Sequence, residues 1–263
     1  MDAPTTPQRP PETLAAYDAG QRRRHVLAVF AFLTLAAAAT YRIGLEVPHL
    51  SLWGLAAVLI LSWLAADFVS GFVHWMGDTW GSPDMPVLGP GFVRPFREHH
   101  VDPMAITRHD WIQTNGNNCL VSLPLLPPIA LTPLPAASTG WTLASLFILT
   151  LTLWVFATNQ IHSWAHDDNP PQWVRLLQRT PFILSPAHHA VHHAAPYDKY
   201  YCITSGILNA PLQRVGFFRR TEALVTRLTG LVPRRDEKGI APEGSETNAP
   251  PFKYDPRSRG LHG

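Results

Sequence analysis

Apolar positions fall into long runs, and the runs set the expected architecture. The first extends from Val26 to Tyr41. The second, Val47 to Ala66, is twenty residues without an Asp, Glu, Lys or Arg, which matches the ~20 residues a helix needs to cross a bilayer. It continues into Asp67 and on to His74 and Asp78, predicting a helix that outlasts the bilayer and carries polar groups at its far end. From Trp111 to His166 come 56 residues with no Asp, Glu, Lys or Arg, close to two spans and a turn. The earlier, Cys119 to Ala136, contains Pro124, Pro127, Pro128, Pro133 and Pro135. Proline removes a helix donor and clashes with the preceding turn, so this segment is expected to be broken or re-entrant, with neighbouring protein covering its freed backbone groups. Trp141 to Thr158 reads as a regular span and runs on into His162 and His166.

Polar segments flank these runs. Residues 1–24 carry Pro4, Pro7, Pro10 and Pro11 and read as a disordered tail, as do residues 231–263. A membrane domain is left over 25–230. Arg22-Arg23-Arg24 stands directly before the first run. A signal peptide also begins with charge and an apolar core, and Ala36 to Ala39 resembles a cleavage site. A retained first membrane helix is the preferred reading, and the triplet then places the N-terminus in the cytoplasm. Ile203 to Leu212 is too short to span and precedes Phe217-Phe218-Arg219-Arg220, so an interfacial helix is expected there.

The fold class expected is therefore an all-α integral membrane protein with about four transmembrane helices. Four crossings from a cytoplasmic N-terminus bring the chain back to the cytoplasm after the second and the fourth. His74 and His162 then emerge on one face, with the loop-rich stretches 79–117 and 167–220. This parity requires 119–136 to cross. Arg175, Arg179, Arg214, Arg219 and Arg220 on that face fit the positive-inside bias.

Composition agrees. Charged residues are 15% of the chain, against about 25% in ordinary soluble domains. Its 26 prolines and nine tryptophans are both high counts. The net charge is only +2 and no basic stripe is present, so nucleic-acid binding has no support. Cys119 and Cys202 form neither a C-x-x-C pair nor a disulfide framework. Any bound metal would be held by nitrogen and oxygen.

Nitrogen ligands are abundant. Ten of the thirteen histidines fall in five groups on the predicted cytoplasmic face: His74 with Asp78, the doublet His99-His100, His109, His162 with His166, and His188-His189-Ala-Val-His192-His193. Pairs at i,i+4 on a helix share a face, and imidazole with carboxylate suits iron, zinc, copper or manganese. So many ligands exceed one ion, and two ions with about four or five each would account for them in a cytoplasmic histidine-rich cap. Individual positions have blander readings. His25, His49 and His262 read as structural or surface groups. His109, beside Asp110, is either a ligand or an orienting group, the doublet is either one ligand or two, and Asp78 is either a ligand or a cap. Asp67, costly at bilayer depth, is a candidate to orient a ligand histidine. Soluble di-iron bundles use two Glu-x-x-His pairs, and this chain has one such spacing, Glu46-Val-Pro-His49, outside the five histidine groups. A histidine-only centre at helix ends would activate O2 and abstract hydrogen from a C–H bond of a lipid. The competing class is a non-enzymatic metal transporter or heme-binding membrane protein. A transporter places ligands near the midplane, and heme takes only one or two histidines.

The longer strings carry a resemblance. Ala66–Gly81 (ADFVSGFVHWMGDTWG), Arg94–Pro103 (RPFREHHVDP), Ala105–Asp110 (AITRHD), Thr114–Cys119 (TNGNNC), Thr158–His166 (TNQIHSWAH), Leu184–His193 (LSPAHHAVHH) and Tyr201–Thr204 (YCIT) closely resemble, in order, the plasmanylethanolamine desaturase family over about residues 60–230. That family includes bacterial proteins coupling light and singlet oxygen to carotenoid synthesis, and plant plastid lipid desaturases. The resemblance implies a di-iron enzyme that uses O2 to desaturate the 1-O-alkyl chain of an ether phospholipid, forming the vinyl ether of a plasmalogen. A separate donor such as cytochrome b5 or ferredoxin with its reductase would supply electrons. The family's essential histidines map onto His74, His99, His100, His162, His166, His188, His189, His192 and His193, with Asp78 and His109 as further candidates. A fatty-acyl desaturase or hydroxylase with the same iron site is the alternative within enzymes. Arg94, Arg97 and Arg108 are candidates to meet the lipid phosphate. A bacterial inner membrane is expected from the composition, or the endoplasmic reticulum in a eukaryote, with the active site cytoplasmic.

Overall fold

A computed structural model of the chain describes residues 17–86, 88–131 and 138–234. Its regular elements are all helical. The expected tails fall outside the described residues for 1–16 and 235–263. Helix α1 runs Ala19–Glu46, so Arg22, Arg23 and Arg24 belong to its first turns and not to a tail. Asp18 caps it, with Oδ1 accepting the Gln21 N–H at 2.7 Å. After a 3₁₀ turn at Val47–His49, α2 runs Leu52–Thr79 under a Ser51 cap. Helix α2 thus carries the apolar run and the Asp67–Asp78 segment in one rod, as expected.

The 79–117 stretch holds more helix than its Gly and Pro content suggests. A π-helical turn at Gly89–Val93 leads into α3 (Arg94–Val101), and a 3₁₀ turn follows at Pro103–Arg108. Helix α4 (Trp111–Ser122) breaks at a 3₁₀ turn through Pro124 and resumes as α5 (Leu126–Leu131). The prolines interrupt the segment, as predicted, without preventing its passage along α1. Arg22 pairs with Asp110 at one end, and Arg42 Nη1 donates to the Ala130 carbonyl at 3.1 Å at the other. Helix α6 (Thr139–His166) returns alongside. The remainder is short: α7 (Gln172–Leu177), α8 (Pro186–His189), α9 (Asn209–Arg214) and α10 (Phe217–Thr229).

Among the described residues, three helices are long and apolar enough to cross a membrane: α1 with its 3₁₀ extension, α2 and α6. Between them lies a core of Phe32, Ala36, Ala39 and Ile43 against Leu126, Ile129, Leu146 and Leu149. Alanine on the α1 face lets backbones approach closely, the usual packing of helices in lipid. The outward residues are apolar too: Phe30, Trp53, Val121 and Leu131 are all strongly exposed. Exposed apolar surface on that scale marks a lipid or partner contact.

The expected helix at Ile203–Leu212 holds only in part: residues 209–212 lie in α9, and residues 203–208 are not helical. Ile203, Thr204 and Ser205 are buried, and the segment is an irregular strap laid across α2. Gly71 of α2 is where the strap comes closest, since a Cβ there would stand 2.4 Å from Cys202 Sγ. The amphipathic element is α10 instead, with Phe218 buried and Leu224 and Leu228 exposed.

Candidate metal centre

The far end of α2 presents His74 and Asp78, and the parallel end of α6 presents His162 and His166. Helix α3 supplies His99 and His100, and α8 with the turn after it supplies His189, His192 and His193. These nine side chains gather into two adjacent groups. His99, His162, His166, His189 and His193 form one, and His74, Asp78, His100 and His192 the other, with ligand atoms in each within 4.8 Å of one another.

Helical geometry explains the division. Successive residues on a helix point about 100° apart, so His99 and His100 face different groups. The i,i+4 pairs stay together: His162 with His166, His189 with His193, and His74 with Asp78. In the five-histidine group His162 Nε2 stands 2.8 Å from His189 Nε2, His193 Nε2 is 3.0 Å from His189 Nε2, and His166 Nε2 is 3.3 Å from His162 Nε2. In the other, Asp78 Oδ2 lies 3.1 Å from His100 Nε2 and 3.4 Å from both His74 Nε2 and His192 Nε2. The groups adjoin: the His74 and His162 rings are 5.9 Å apart, and the His100 and His193 rings 5.3 Å.

Backbone carbonyls behind the rings set their tautomers. His74 Nδ1 donates to the Tyr201 carbonyl at 3.1 Å, and His192 Nδ1 donates to that of Lys199 at 2.9 Å. With the proton on Nδ1, each Nε2 turns a lone pair toward Asp78. Burial, reinforced by the neighbouring imidazoles, holds His99, His189, His192 and His193 well below the ordinary histidine range. These rings are therefore neutral at pH 7 and can act as ligands. A pair of metal ions fits this arrangement. Buried Nε2 atoms of His74, His99 and His192 have no hydrogen bond, the donors converge, and imidazole with one carboxylate is the donor set of iron, zinc, copper or manganese.

Two sequence candidates are not brought in. His109 is exposed and belongs to neither group. His188 faces away, turned about 100° from His189 on the short α8. It stacks on Tyr200 with ring centroids 5.1 Å apart, and its Nε2 takes an N–H from Asn209 at 3.1 Å. Arg97 is not free for a phosphate either: it is buried and donates to the carbonyls of Gly77, Trp80 and Gly81. Arg108 pairs with Asp102. His25 is structural as expected, held between Tyr17 Oη and Asn117 Oδ1.

Asp67 touches no ligand histidine. Its Oδ1 accepts the N–H groups of Ser205 (2.7 Å) and Gly206 (2.8 Å), and its Oδ2 that of Leu208 (3.1 Å). Ser70 Oγ accepts from Ile203 N, and Asn209 binds both backbone groups of Cys202. These contacts pin the strap whose Tyr201 carbonyl orients His74. The sequence signals for this shell were weak. Carbonyls carry no residue signature, and Ser70 and Asn209 lie over a hundred residues apart.

Residues 63–236 match the family model of the lipid desaturase domain. The chain is 52% identical over 223 residues to "Plasmanylethanolamine desaturase" of Myxococcus xanthus, covering 85% of this chain and 78% of that protein. It is 51% identical over 180 residues to "Plasmanylethanolamine desaturase 1" of Mus musculus, covering 66% of each. "Fatty acid desaturase 4, chloroplastic" of Arabidopsis thaliana is 32% identical over 174 residues, 65% of this chain and 52% of that one. No solved structure matches. A family model spanning most of the chain, joined to the histidine groups it encloses, shows that the chain belongs to the lipid desaturase family.

Proposed function

We propose that this chain is an O2-dependent di-iron desaturase that converts the 1-O-alkyl ether of plasmanylethanolamine to the 1-alkenyl ether of a plasmalogen. The observation that carries the reading is the double donor group, five histidines beside three histidines and an aspartate, at the ends of two apolar helices. The names of the Myxococcus and mouse relatives support the substrate. The balance is alkyl ether plus O2, two electrons and two protons, giving vinyl ether and two waters.

Iron, when bound, supplies the O2 reduction and C–H abstraction that no side chain can perform. His99, His162, His166, His189 and His193 would hold one ion, and His74, Asp78, His100 and His192 the other. The chain's part is to keep His99, His189, His192 and His193 neutral by burial and to fix His74 and His192 through the Tyr201 and Lys199 carbonyls. Trp75, Tyr201 and Phe218 pack into an aromatic cluster beside the second group. Electrons come from a separate donor such as cytochrome b5 or ferredoxin with its reductase. A heme protein would need one or two of these histidines, and a transporter would place them near mid-bilayer.

The same reading makes the chain a multi-pass protein of a bacterial inner membrane, or the endoplasmic reticulum in a eukaryote, with four crossings and a cytoplasmic site. The Arg22–Asp110 and Arg42–Ala130 contacts support the crossing by α4–α5, third in chain order, because they hold it alongside α1 over most of its length. The desaturase domain would occupy about 25–230, with the first turns of α1 extending it back to Ala19.

Expression in a plasmalogen-free host supplied with alkyl ether lipid tests the reading. Acid-labile vinyl ether should appear, and should vanish with His162→Ala or His192→Ala. Folded, iron-loaded protein that forms none would overturn the substrate, and a new acyl double bond would favour the fatty-acyl alternative.

A further inference from the structure

A polar pocket opens directly outside the Asp78 group, and the desaturation chemistry does not use it. Its wall includes Asp78, Tyr197, Asp198, Arg219, Glu222 and Arg234. Both signs of charge are present in the wall. Arg219 pairs with Asp198 and with Glu222, whose other oxygen accepts Trp75 Nε1–H at 3.0 Å. Arg219 remains more than half exposed, at 58% of its side chain. The backbone N–H of Arg234 donates to the Thr79 carbonyl at 3.0 Å, which fixes that residue at the end of α2.

Depth places the pocket at head-group level. Helix α2 has 28 residues, about 42 Å at 1.5 Å per residue, whereas the hydrocarbon core is about 30 Å thick. Its last turns, with Asp78 and Thr79, therefore stand among the head groups. Helix α10, which carries Arg219 and Glu222, turns Leu224 and Leu228 outward, as an interfacial helix does. Substrate chemistry makes the second constraint. In a 1-O-alkyl phospholipid only the glycerol and one ether oxygen separate the phosphate from the carbons that lose hydrogen. If those carbons reach the metal groups, the head group must lie immediately beside them, and this pocket includes Asp78 and His100 in its wall.

We infer that this pocket is the receptor for a zwitterionic phosphoethanolamine head group, with the phosphate on the exposed side of the Arg219 guanidinium and the ammonium on Asp198, each charge of the ligand adding to the Arg219–Asp198 ion pair. The inference rests on the ether-lipid reading proposed above. A primary ammonium donates hydrogen bonds to a carboxylate and a trimethylammonium cannot, so Asp198 selects ethanolamine over choline. Arg219 binds the phosphate common to both.

Calorimetric titration of short-chain 1-O-alkyl phospholipids into the detergent-solubilised, metal-loaded chain tests this without requiring turnover. Wild-type protein should bind the ethanolamine lipid about tenfold or more tightly than its choline analogue, the size of one charge-assisted hydrogen bond. Asp198→Asn should collapse that preference to within about threefold of parity. Arg219→Gln should weaken both lipids about tenfold, and Arg219→Lys should recover part of the loss. Equal wild-type affinity for the two lipids would overturn the inference, and this comparison needs no variant to fold. So would wild-type affinity and discrimination in both Asp198→Asn and Arg219→Gln. Head-group-selective binding without vinyl-ether formation would leave the pocket standing and overturn the proposed reaction. Vinyl-ether formation without selectivity would do the reverse.

Discussion

Asp67→Asn separates the support of the metal centre from its ligands. The carboxylate is fully buried and accepts three backbone N–H groups from the strap, at 2.7, 2.8 and 3.1 Å. Asparagine keeps one oxygen for Ser205 and Gly206 but turns an NH2 toward the Leu208 N–H, donor against donor. One charge-assisted bond is lost, about 1.5–3 kcal/mol, and a buried donor is left unsatisfied at about 1–3 kcal/mol. Together these come to about 2.5–6 kcal/mol, at or above the upper range for point substitutions. For a chain of this size that is a fall in melting temperature on the order of 10 °C, read by thermal unfolding in detergent micelles. Loosening the strap also frees the Tyr201 carbonyl from His74 Nδ1. Loss of such an outer partner weakens a metal site about 10–100-fold. Iron titration of the metal-free variant should therefore show weaker uptake at the Asp78 group and ordinary uptake at the five-histidine group. A variant that melts with wild type and takes both ions equally would refute the reasoning.

Two further outcomes follow from the same geometry. The metal-free chain should lose stability as pH falls below about 6.5. His99, His189, His192 and His193 have folded pKa values below the ordinary one, so the unfolded chain binds more protons, and each contributes about 1.4 kcal/mol per pH unit until its own folded pKa is reached. Melting curves between pH 7.5 and 5.5 that coincide would contradict this. His188→Ala should keep both irons, because that ring stacks on Tyr200, whereas His189→Ala should lose iron. Elemental analysis of the two purified variants checks the contrast.

The long apolar runs, the proline-broken segment and the i,i+4 pairs were legible because each is a local pattern that one helix decides. The histidines belonging together were mostly legible for the same reason. Their partition was not. His99 and His100 separate by a helical rotation whose reference direction depends on how α3 docks. His188 turns away because α8 ends after one turn, and the cluster's spacing gave no sign of that. Asp67 stood out as a costly buried acid, but its partners lie about 140 residues downstream, beyond any local signal. Arg97 looked like a phosphate ligand until the turn after α2 closed over it.

Iron stoichiometry with Mössbauer spectroscopy addresses the two-ion centre most directly. The wild-type chain should hold two irons in unlike surroundings, one all-nitrogen and one with a carboxylate. His162→Ala/His166→Ala should leave about one iron, with the carboxylate-ligated signal retained, and His74→Ala/Asp78→Ala about one with the all-nitrogen signal retained. A wild-type chain saturating at one iron, or either double variant still holding two, would contradict the two-ion centre.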